Sequence, residues 1–220
     1  MKYLFFDIEC ADGGKATICS FGYVIADMDF NILDHDDIIM NPEGRFYLTG
    51  RAGRPDVNLA YPMEYFKKAP NFKAFHSRIK ELVENEEYYV VGHSVRDDVT
   101  YLNKACARYK LEPFKFKFFD TQKMFKEITG EKKQKSLENA LLAMEVNEFF
   151  ISHRSDEDAR ATMMLLKALL RKTNMSFEAY INSTDRCTGY TENGKSSWDY
   201  IPLESESKRL RENKMKGEKG

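Results

Sequence analysis

The hydrophobic positions in the first third of the chain predict strands. Three apolar segments, at residues 3–9, 16–29 and 31–42, are separated by short polar turns. Because consecutive strands joined by short turns pair antiparallel, we predict three antiparallel strands. The next segment, residues 42–62, is rich in Gly, Pro and Arg, which predicts a long loop.

The middle of the chain alternates between helical and strand patterns. Two short apolar runs, at 87–94 and 113–121, predict buried strands. Apolar residues recur every three or four positions in five predicted helices, at 70–85, 95–110, 121–130, 135–146 and 155–172. This order is that of the ribonuclease H-like α/β fold. We therefore expect a mixed five-stranded sheet, with three antiparallel strands and then two parallel ones, flanked by helices.

The character of the sequence changes near its C-terminal end. We expect a domain at residues 1–175 and an appendage at 176–220 that contains one more helix and a polar, partly disordered remainder. Trp198 is expected to dock this appendage onto the domain. No internal repeat is visible.

Composition bounds the function only loosely. The chain is 42% hydrophobic, which suffices for a core, and its formal net charge of −1 indicates no particular partner. That charge does not exclude local binding of nucleic acid, but such binding would depend on bound cations. The four cysteines form no C-x-x-C pair and are expected to be free thiols. No apolar run approaches 18 residues and no signal peptide is evident, so we expect a cytoplasmic protein with no membrane contact.

Two carboxylates close together raise the first chemical question. Asp7 and Glu9 lie one residue apart near the end of the first predicted strand, so they share a face, with Cα atoms roughly 6–7 Å apart. Two negative charges this close cost free energy unless a cation lies between them. The pair is therefore either a solvated strand end or half of a metal site.

Two further acids are predicted to face inward from helices. Asp98 shares a helical stripe with Leu102, whereas its neighbour Asp97 lies on the solvent flank. Asp158 lies on the inward edge of the last long helix. It also ends a Ser155–Asp158 segment with the form of a capping box, so helix capping is an alternative to catalysis for this residue.

The histidine just before that helix has two interpretations. His153 lies five residues before Asp158, in the loop that enters the helix. A single histidine in a loop is usually an inert surface residue. Beside a metal-binding carboxylate, it can act as a general base near neutral pH.

Three segments together resemble a known family. Residues 6–9, 92–102 and 153–166 resemble, in order, the D-x-E, G-H-x-x-x-x-D and H-x-x-x-x-D motifs of the DnaQ-like, DEDDh-type 3′–5′ exonucleases. That family includes the proofreading epsilon subunit of bacterial DNA polymerase III, ribonuclease T and oligoribonuclease. The resemblance spans about residues 1–172, and the order and spacing of the three motifs make it specific.

The resemblance implies a site and a reaction. Asp7, Glu9, Asp98 and Asp158 would bind two divalent metal ions, Mg²⁺ or Mn²⁺, and all four would be catalytic together with His153. His153 would be the general base that takes a proton from the attacking water. Hydrolysis would release nucleoside 5′-monophosphates from the 3′ end. Oxygen ligands without sulfur favour Mg²⁺ or Mn²⁺ over zinc.

The substrate is less well defined than the reaction. Cys10 and Ala11 replace the Thr-Thr that often follows D-x-E, and with His93 they are candidate substrate-binding residues. We expect single-stranded nucleic acid 3′ ends, with DNA first and an RNA-trimming enzyme of the ribonuclease T or Rex type as the alternative. A non-catalytic binding module and a phosphoesterase for small nucleotides are further alternatives. A polymerase partner and a homo-oligomer both stay open.

The predicted loop could also contact substrate. Residues 43–62 mix arginines with aromatic residues, a combination that can bind single-stranded nucleic acid by phosphate contact and base stacking. The alternative is a solvated loop that packs its own aromatic side chains.

Overall fold

A seven-stranded sheet forms the centre of the computed structural model, which describes residues 1–47 and 59–198. The strands are β1 (Lys2–Asp12), β2 (Thr17–Ala26), β3 (Ile32–Ile39), β4 (Tyr88–Gly92), β5 (Phe116–Asp120), β6 (Thr188–Glu192) and β7 (Lys195–Ser197). Their order in the sheet is β3-β2-β1-β4-β5-β6-β7. The strand β1 is therefore internal, with β2 and β3 on one side of it and the other four strands on the other side.

Seven helices cover the sheet in the described part of the chain. They are α1 (Met63–Lys68), α2 (Phe72–Val83), α3 (Arg96–Tyr109), α4 (Thr121–Thr129), α5 (Leu137–Ala143), α6 (Ser155–Thr173) and α7 (Phe177–Ser183). Six of them lie where the sequence predicted helices, and α1 is an additional short helix. None of the helices that the structure describes is both long and apolar enough to cross a membrane.

Strand directions agree with the predicted mixed sheet. The pairs β1–β2 and β2–β3 are antiparallel, and β1–β4 and β4–β5 are parallel. The predicted count of five strands is wrong, because β6 pairs antiparallel with β5 and β7 extends the sheet further. The division into a domain at residues 1–175 and an appendage at 176–220 stays a prediction.

The two additional strands form a hairpin that the polar sequence obscures. Asn193 and Gly194 form its two-residue turn, and both have positive φ, at 52° and 73°. This Asn-Gly turn matches the right-handed twist of the flanking strands. Trp198 follows β7 and packs edge-on against Phe118, with ring centroids 5.5 Å apart, which confirms that it docks this segment onto the domain.

Alternate residues of β1 face two separate hydrophobic clusters. Leu4, Phe6 and Ile8 lie in a cluster with α2 and α3, whereas Tyr3 and Phe5 lie in one with α4, α5, α6 and α7. Because side chains alternate along a strand, Asp7 and Glu9 continue the second face, toward α6. The sheet itself therefore aims both acids at the helix that carries Asp158.

Candidate active site

The end of β1 presents the first two acids. Asp7 is paired with Gly22 of β2, and Glu9 is paired with Ser20. The register shifts directly after Glu9, so regular pairing ends there. Such irregularities are common beside active sites because they redirect the strand.

A glycine lets α6 reach these acids. A Cβ atom at Gly22 would lie 2.0 Å from the backbone nitrogen of Asp156 and 2.0 Å from the carbonyl carbon of Ser155. No other residue type fits there, so the first turn of α6 packs directly on the backbone of β2. This contact brings the side chain of Asp158 to the acids of β1.

Three carboxylates converge as a result. Asp7, Glu9 and Asp158 each offer an oxygen atom, and the three atoms lie within 4.8 Å of one another. Burial, together with the charges of Asp98 and other nearby acids, raises the pKa of Asp7 well above its usual range. Burial and the charge of Glu9 raise the pKa of Asp158 to about 7. The cluster therefore has a strong tendency to bind protons or cations.

The fourth acid approaches from the opposite face of the sheet. Asp98 is only 6% exposed at the start of α3, whereas Asp97 is exposed, as the helical pattern predicted. Burial, followed by the charge of Asp97, raises the pKa of the Asp98 carboxyl, and the backbone N–H of Ile8 donates a hydrogen bond to it. Asp98 lies outside the group of three, but it is near enough for its charge to raise the pKa of Asp7.

His153 is held beside the acids by its backbone and its ring. Its backbone N–H donates to Oδ2 of Asp158 at 2.9 Å, and its carbonyl accepts from the N–H of Ala60 at 3.2 Å. Ring atom Nδ1 lies 3.2 Å from Oε1 of Glu9, a hydrogen bond that raises the pKa of His153. The side chain is 45% exposed and the backbone has a φ of 62°, a conformation uncommon for residues other than glycine. A half-exposed imidazole is thus fixed against the acid cluster.

The capping-box interpretation of Ser155–Asp158 does not describe this helix start. The N-cap of α6 is Arg154, which makes no side-chain cap hydrogen bond. The hydroxyl of Ser155 instead donates to Oδ1 of Asp37 at 2.7 Å. The carboxylate of Asp158 still accepts one backbone N–H, that of His153, so it combines a local structural contact with its place in the cluster.

Asp37 is a residue that the sequence did not single out. It is paired with Gly22, which in turn is paired with Asp7, so the two acids lie on the same face with one strand between them. The hydroxyls of Ser20 and Ser155 both donate to Oδ1 of Asp37. The carboxylate of Asp37 therefore ties the first turn of α6 to two strands.

Asp120 holds the start of α3 in place, as Asp37 does for α6. It is the last residue of β5, buried, and its Oδ1 accepts the N–H groups of Ser94 at 3.0 Å and Gln122 at 2.8 Å. Burial raises the pKa of Asp120 to about 6. Since Ser94 lies in the turn that leads into α3, this contact helps to fix the position of Asp98. The sequence signal for Asp120 was a carboxylate at the last position of a predicted strand, directly before a predicted helix.

The three candidate substrate-binding residues lie in different environments. Both ring nitrogens of His93 are within hydrogen-bond distance of protein atoms, namely Thr121 Oγ1 at 3.0 Å and Lys135 O at 3.1 Å. Burial lowers the pKa of His93 to about 4. Ala11 has no exposed surface, and its carbonyl accepts from the backbone N–H of Tyr47. Cys10 is partly exposed, so of these two residues it is the accessible one.

The structure describes two segments of the predicted loop, residues 43–47 and 59–62, and both approach the site. Phe46 and Tyr61 pack around Phe66 of α1. This packing agrees with the alternative interpretation, in which the loop packs its own aromatic side chains instead of binding substrate with them. Tyr47 is 67% exposed, and its backbone N–H donates to the carbonyl of Ala11. Two of the loop's arginines, Arg51 and Arg54, lie outside the described residues.

A family model matches residues 63–169. Its description is "DNA polymerase III subunit epsilon-like, C-terminal domain", with the short name DEDDh_C. The matched segment contains Asp98, His153 and Asp158, whereas Asp7 and Glu9 precede it and reach the same site through the fold. No curated protein matches the chain by sequence.

Solved structures of nucleases share the fold. A 3′-exonuclease solved in a study of "3′-end specific recognition of histone mRNA stem-loop" superimposes with a TM-score of 0.68 at 14% identity, covering 92% of this chain and 72% of that one. The nuclease domain of 3′hExo, described as a DEDDh family member bound to rAMP, gives 0.61 at 15%, covering 80% and 92%. E. coli Exonuclease I with a dA16 oligonucleotide gives 0.61 at 15%, covering 83% and 43%.

Proposed function

We propose that the chain is a DEDDh-type 3′–5′ exonuclease, because residues 63–169 match that family model, and that it hydrolyses single-stranded nucleic acid from the 3′ end with the help of divalent cations, releasing nucleoside 5′-monophosphates. The observation that carries this proposal is the convergence of Asp7, Glu9 and Asp158 beside His153. The three acids suit cation binding and the imidazole suits proton transfer, which are the two requirements of metal-assisted hydrolysis.

The donor set fits hard divalent cations. Every candidate ligand atom is a carboxylate oxygen, the type that Mg²⁺ and Mn²⁺ prefer. Burial, followed by the charges of neighbouring acids, raises the pKa values of Asp7 and Asp158, and a bound cation would relieve both effects. Asp7, Glu9 and Asp158 would hold one cation, and Asp98 would contribute to a second. Bound there, the cations would supply Lewis-acid stabilisation of the charge that develops on the phosphodiester oxygens.

His153 is oriented to accept a proton. When Nδ1–H donates to Oε1 of Glu9, the lone pair of the neutral imidazole is on Nε2. The side chain that carries this atom is partly exposed, and we infer that Nε2 takes the proton of the attacking water. The hydrogen bond to Glu9 also stabilises the imidazolium that forms when the proton is taken up.

RNA is a second candidate substrate. One structural neighbour recognises a histone mRNA stem-loop and another binds rAMP, whereas a third binds a dA16 oligonucleotide. The neighbours thus include enzymes associated with each kind of nucleic acid. DNA stays the first expectation for this chain and RNA the alternative.

The test is digestion of 5′-labelled DNA and RNA oligomers of the same sequence, with Mg²⁺ or Mn²⁺, by the wild-type chain and by Asp7→Asn. A ladder that shortens from the 3′ end with wild type only, and that disappears with chelator, supports the proposal. The faster oligomer identifies the preferred sugar. Digestion of a dinucleotide but of no longer oligomer would indicate a small-nucleotide phosphoesterase, and binding without digestion would indicate a non-catalytic module.

A further inference from the structure

A polar cavity of about 370 Å³ lies beyond the acid cluster, at the far end of β1. Three cationic side chains line it: Lys15 from the β1–β2 turn, Arg45 from the segment after β3, and Arg108 from the end of α3. We call these three residues the basic pocket. Two acids, Asp12 and Glu43, also line this cavity.

Both of those acids already have hydrogen-bond partners. Oδ1 of Asp12 accepts the backbone N–H groups of Gly14 and Lys15, at 3.0 and 3.3 Å, and so stabilises the turn. The carboxylate of Glu43 accepts from Asn71 and Tyr109, each at 2.9 Å, and these hydrogen bonds lower its pKa. The cavity is thus lined by three cationic and two anionic side chains, which leaves an excess of one positive charge.

The cations, in contrast, retain donors for a ligand. Lys15 is 78% exposed and approaches Asp12 only at 3.9 Å, a weak surface pair. Arg45 is exposed and makes no ion pair with any residue in 1–47 or 59–198. The guanidinium of Arg108 donates to the backbone carbonyls of Pro42 and Glu43, at 3.0 and 2.9 Å, which fixes its position without a carboxylate at either bond.

The position of the pocket relates it to the acid cluster. Asp12 follows Glu9 by three residues on β1, which corresponds to about 10 Å along an extended strand. The acid cluster attracts cations and repels phosphate, and the whole chain has a formal net charge of −1. A polyanion that places its 3′ end at the cluster would contact the cations bound there, and it would gain a further favourable phosphate contact at a cationic site within reach.

We propose that the basic pocket binds a backbone phosphate of the nucleic-acid strand whose 3′ end lies at the acid cluster, on the 5′ side of the hydrolysed bond. This inference rests on the proposed function. It predicts that oligomers long enough to span both places bind more tightly than a dinucleotide. It also predicts that this advantage falls as salt concentration rises, because phosphate binding releases counterions.

The test variant removes the two cations that make no hydrogen bond to the backbone carbonyls of the pocket, as Lys15→Gln with Arg45→Gln. Arg108 is left unchanged because its hydrogen bonds hold the backbone at Pro42 and Glu43. The matched control is Arg171→Gln with Lys172→Gln, which removes one arginine and one lysine from exposed positions at the other end of α6. These lie about 20 Å from Asp158 by helix rise.

The readout is KM for 5′-labelled oligomers of two to twelve nucleotides at several salt concentrations. The ratio of KM for the dinucleotide to KM for the longest oligomer should exceed tenfold for wild type and the control, and should fall toward one for the test variant. The salt dependence of log KM for the longest oligomer should become shallower by about 0.7 for each phosphate group that the variant no longer binds.

The outcomes separate this inference from the proposed function. If wild type shortens oligomers but the test variant keeps the wild-type KM ratio and salt dependence, the basic pocket binds no substrate phosphate and the inference is wrong. An equal effect in the control would also contradict it, because the effect would then come from overall charge. A wild-type chain that shortens no oligomer would overturn the proposed function itself.

Discussion

Asp7 lies directly opposite Gly22 in the antiparallel pair of β1 and β2, and the space above Gly22 is filled by the backbone of α6 at Asp156. The metal-site candidate on β1 and the helix that carries Asp158 therefore meet at a residue without a side chain. The close packing of α6 on β2 depends on the missing side chain of Gly22, because a Cβ atom at this position would lie 2.0 Å from the backbone nitrogen of Asp156.

Gly22→Ala is expected to displace the start of α6. Since the clash is with backbone, no side-chain rotation relieves it, and we expect a loss of stability of about 1–3 kcal/mol together with a large loss of activity. Denaturant unfolding and the rate of oligomer shortening measure the two effects. Gly13→Ala is the control, because its Cβ would meet only the Tyr101 hydroxyl, at 3.4 Å, and both properties should stay near wild type.

His153→Ala is expected to slow hydrolysis by roughly 10²- to 10⁴-fold, the usual contribution of a general base. Metal binding should persist, because Asp7, Glu9 and Asp158 remain in place. Single-turnover rates and calorimetric titration with Mn²⁺ measure the two properties. His35→Ala, at an exposed position on β3, should match wild type in both. An unchanged rate in His153→Ala would contradict the assignment of the base.

The acid cluster predicts that cations stabilise the fold more at high pH. The pKa of Asp158 is raised to about 7 from an ordinary value near 3.8, so the folded chain binds the proton of this carboxyl more tightly than the unfolded chain does. The stability that the bound proton contributes is fully present below pH 3.8 and is lost as pH rises through 7. Burial raises the pKa of Asp7 in the same direction.

Bound cations would offset that loss by neutralising the ionised acids. The increase in Tm on adding Mg²⁺ or Mn²⁺ should therefore be larger at about pH 8 than at about pH 5.5, where the acids hold protons that compete with the metal. Thermal unfolding with metal and with chelator at both pH values measures this difference. An equal increase at the two pH values, or a larger one at the lower pH, would contradict the assignment of the cluster as the cation site.

Asp37→Ala is expected to reduce activity although the residue is not one of the motif acids. It removes the acceptor for the hydroxyls of Ser20 and Ser155 and so loosens the first turn of α6. Leaving buried donors unsatisfied in this way costs about 1–3 kcal/mol of stability. Asp37→Asn keeps an acceptor oxygen and should restore most of the activity, which separates positioning from a need for charge. Asp36→Ala, which removes an exposed partner of Arg78, is the control.

Hydrophobic periodicity predicted the strand directions and the orientation of the two acids at the start of α3. The sheet directions of the first five strands and the burial of Asp98 beside an exposed Asp97 are as the pattern indicated. These features depend on local repeats of two or 3.6 residues, which a linear sequence displays directly. The joining of β1, α3 and α6 at one place follows from the fold that those repeats imply.

The supporting contacts could not be predicted in the same way. Asp37 lies in a strand with acids on both faces, so only its register against Gly22 identifies it as a neighbour of the site. The strands β6 and β7 are short and polar, and their pairing with β5 is a long-range contact that no local repeat encodes. The Asn193-Gly194 turn was the one signal for that hairpin.

The most direct test of the central claim compares two adjacent acids. Asp98→Asn and Asp97→Asn each remove one carboxylate from the first turn of α3, the former buried beside the cluster and the latter exposed. The measurement is shortening of 5′-labelled single-stranded DNA and RNA with Mg²⁺ or Mn²⁺. We predict a 3′-to-5′ ladder for wild type and Asp97→Asn, and none for Asp98→Asn. Equal shortening by both variants, or no shortening by wild type, would contradict the proposed function.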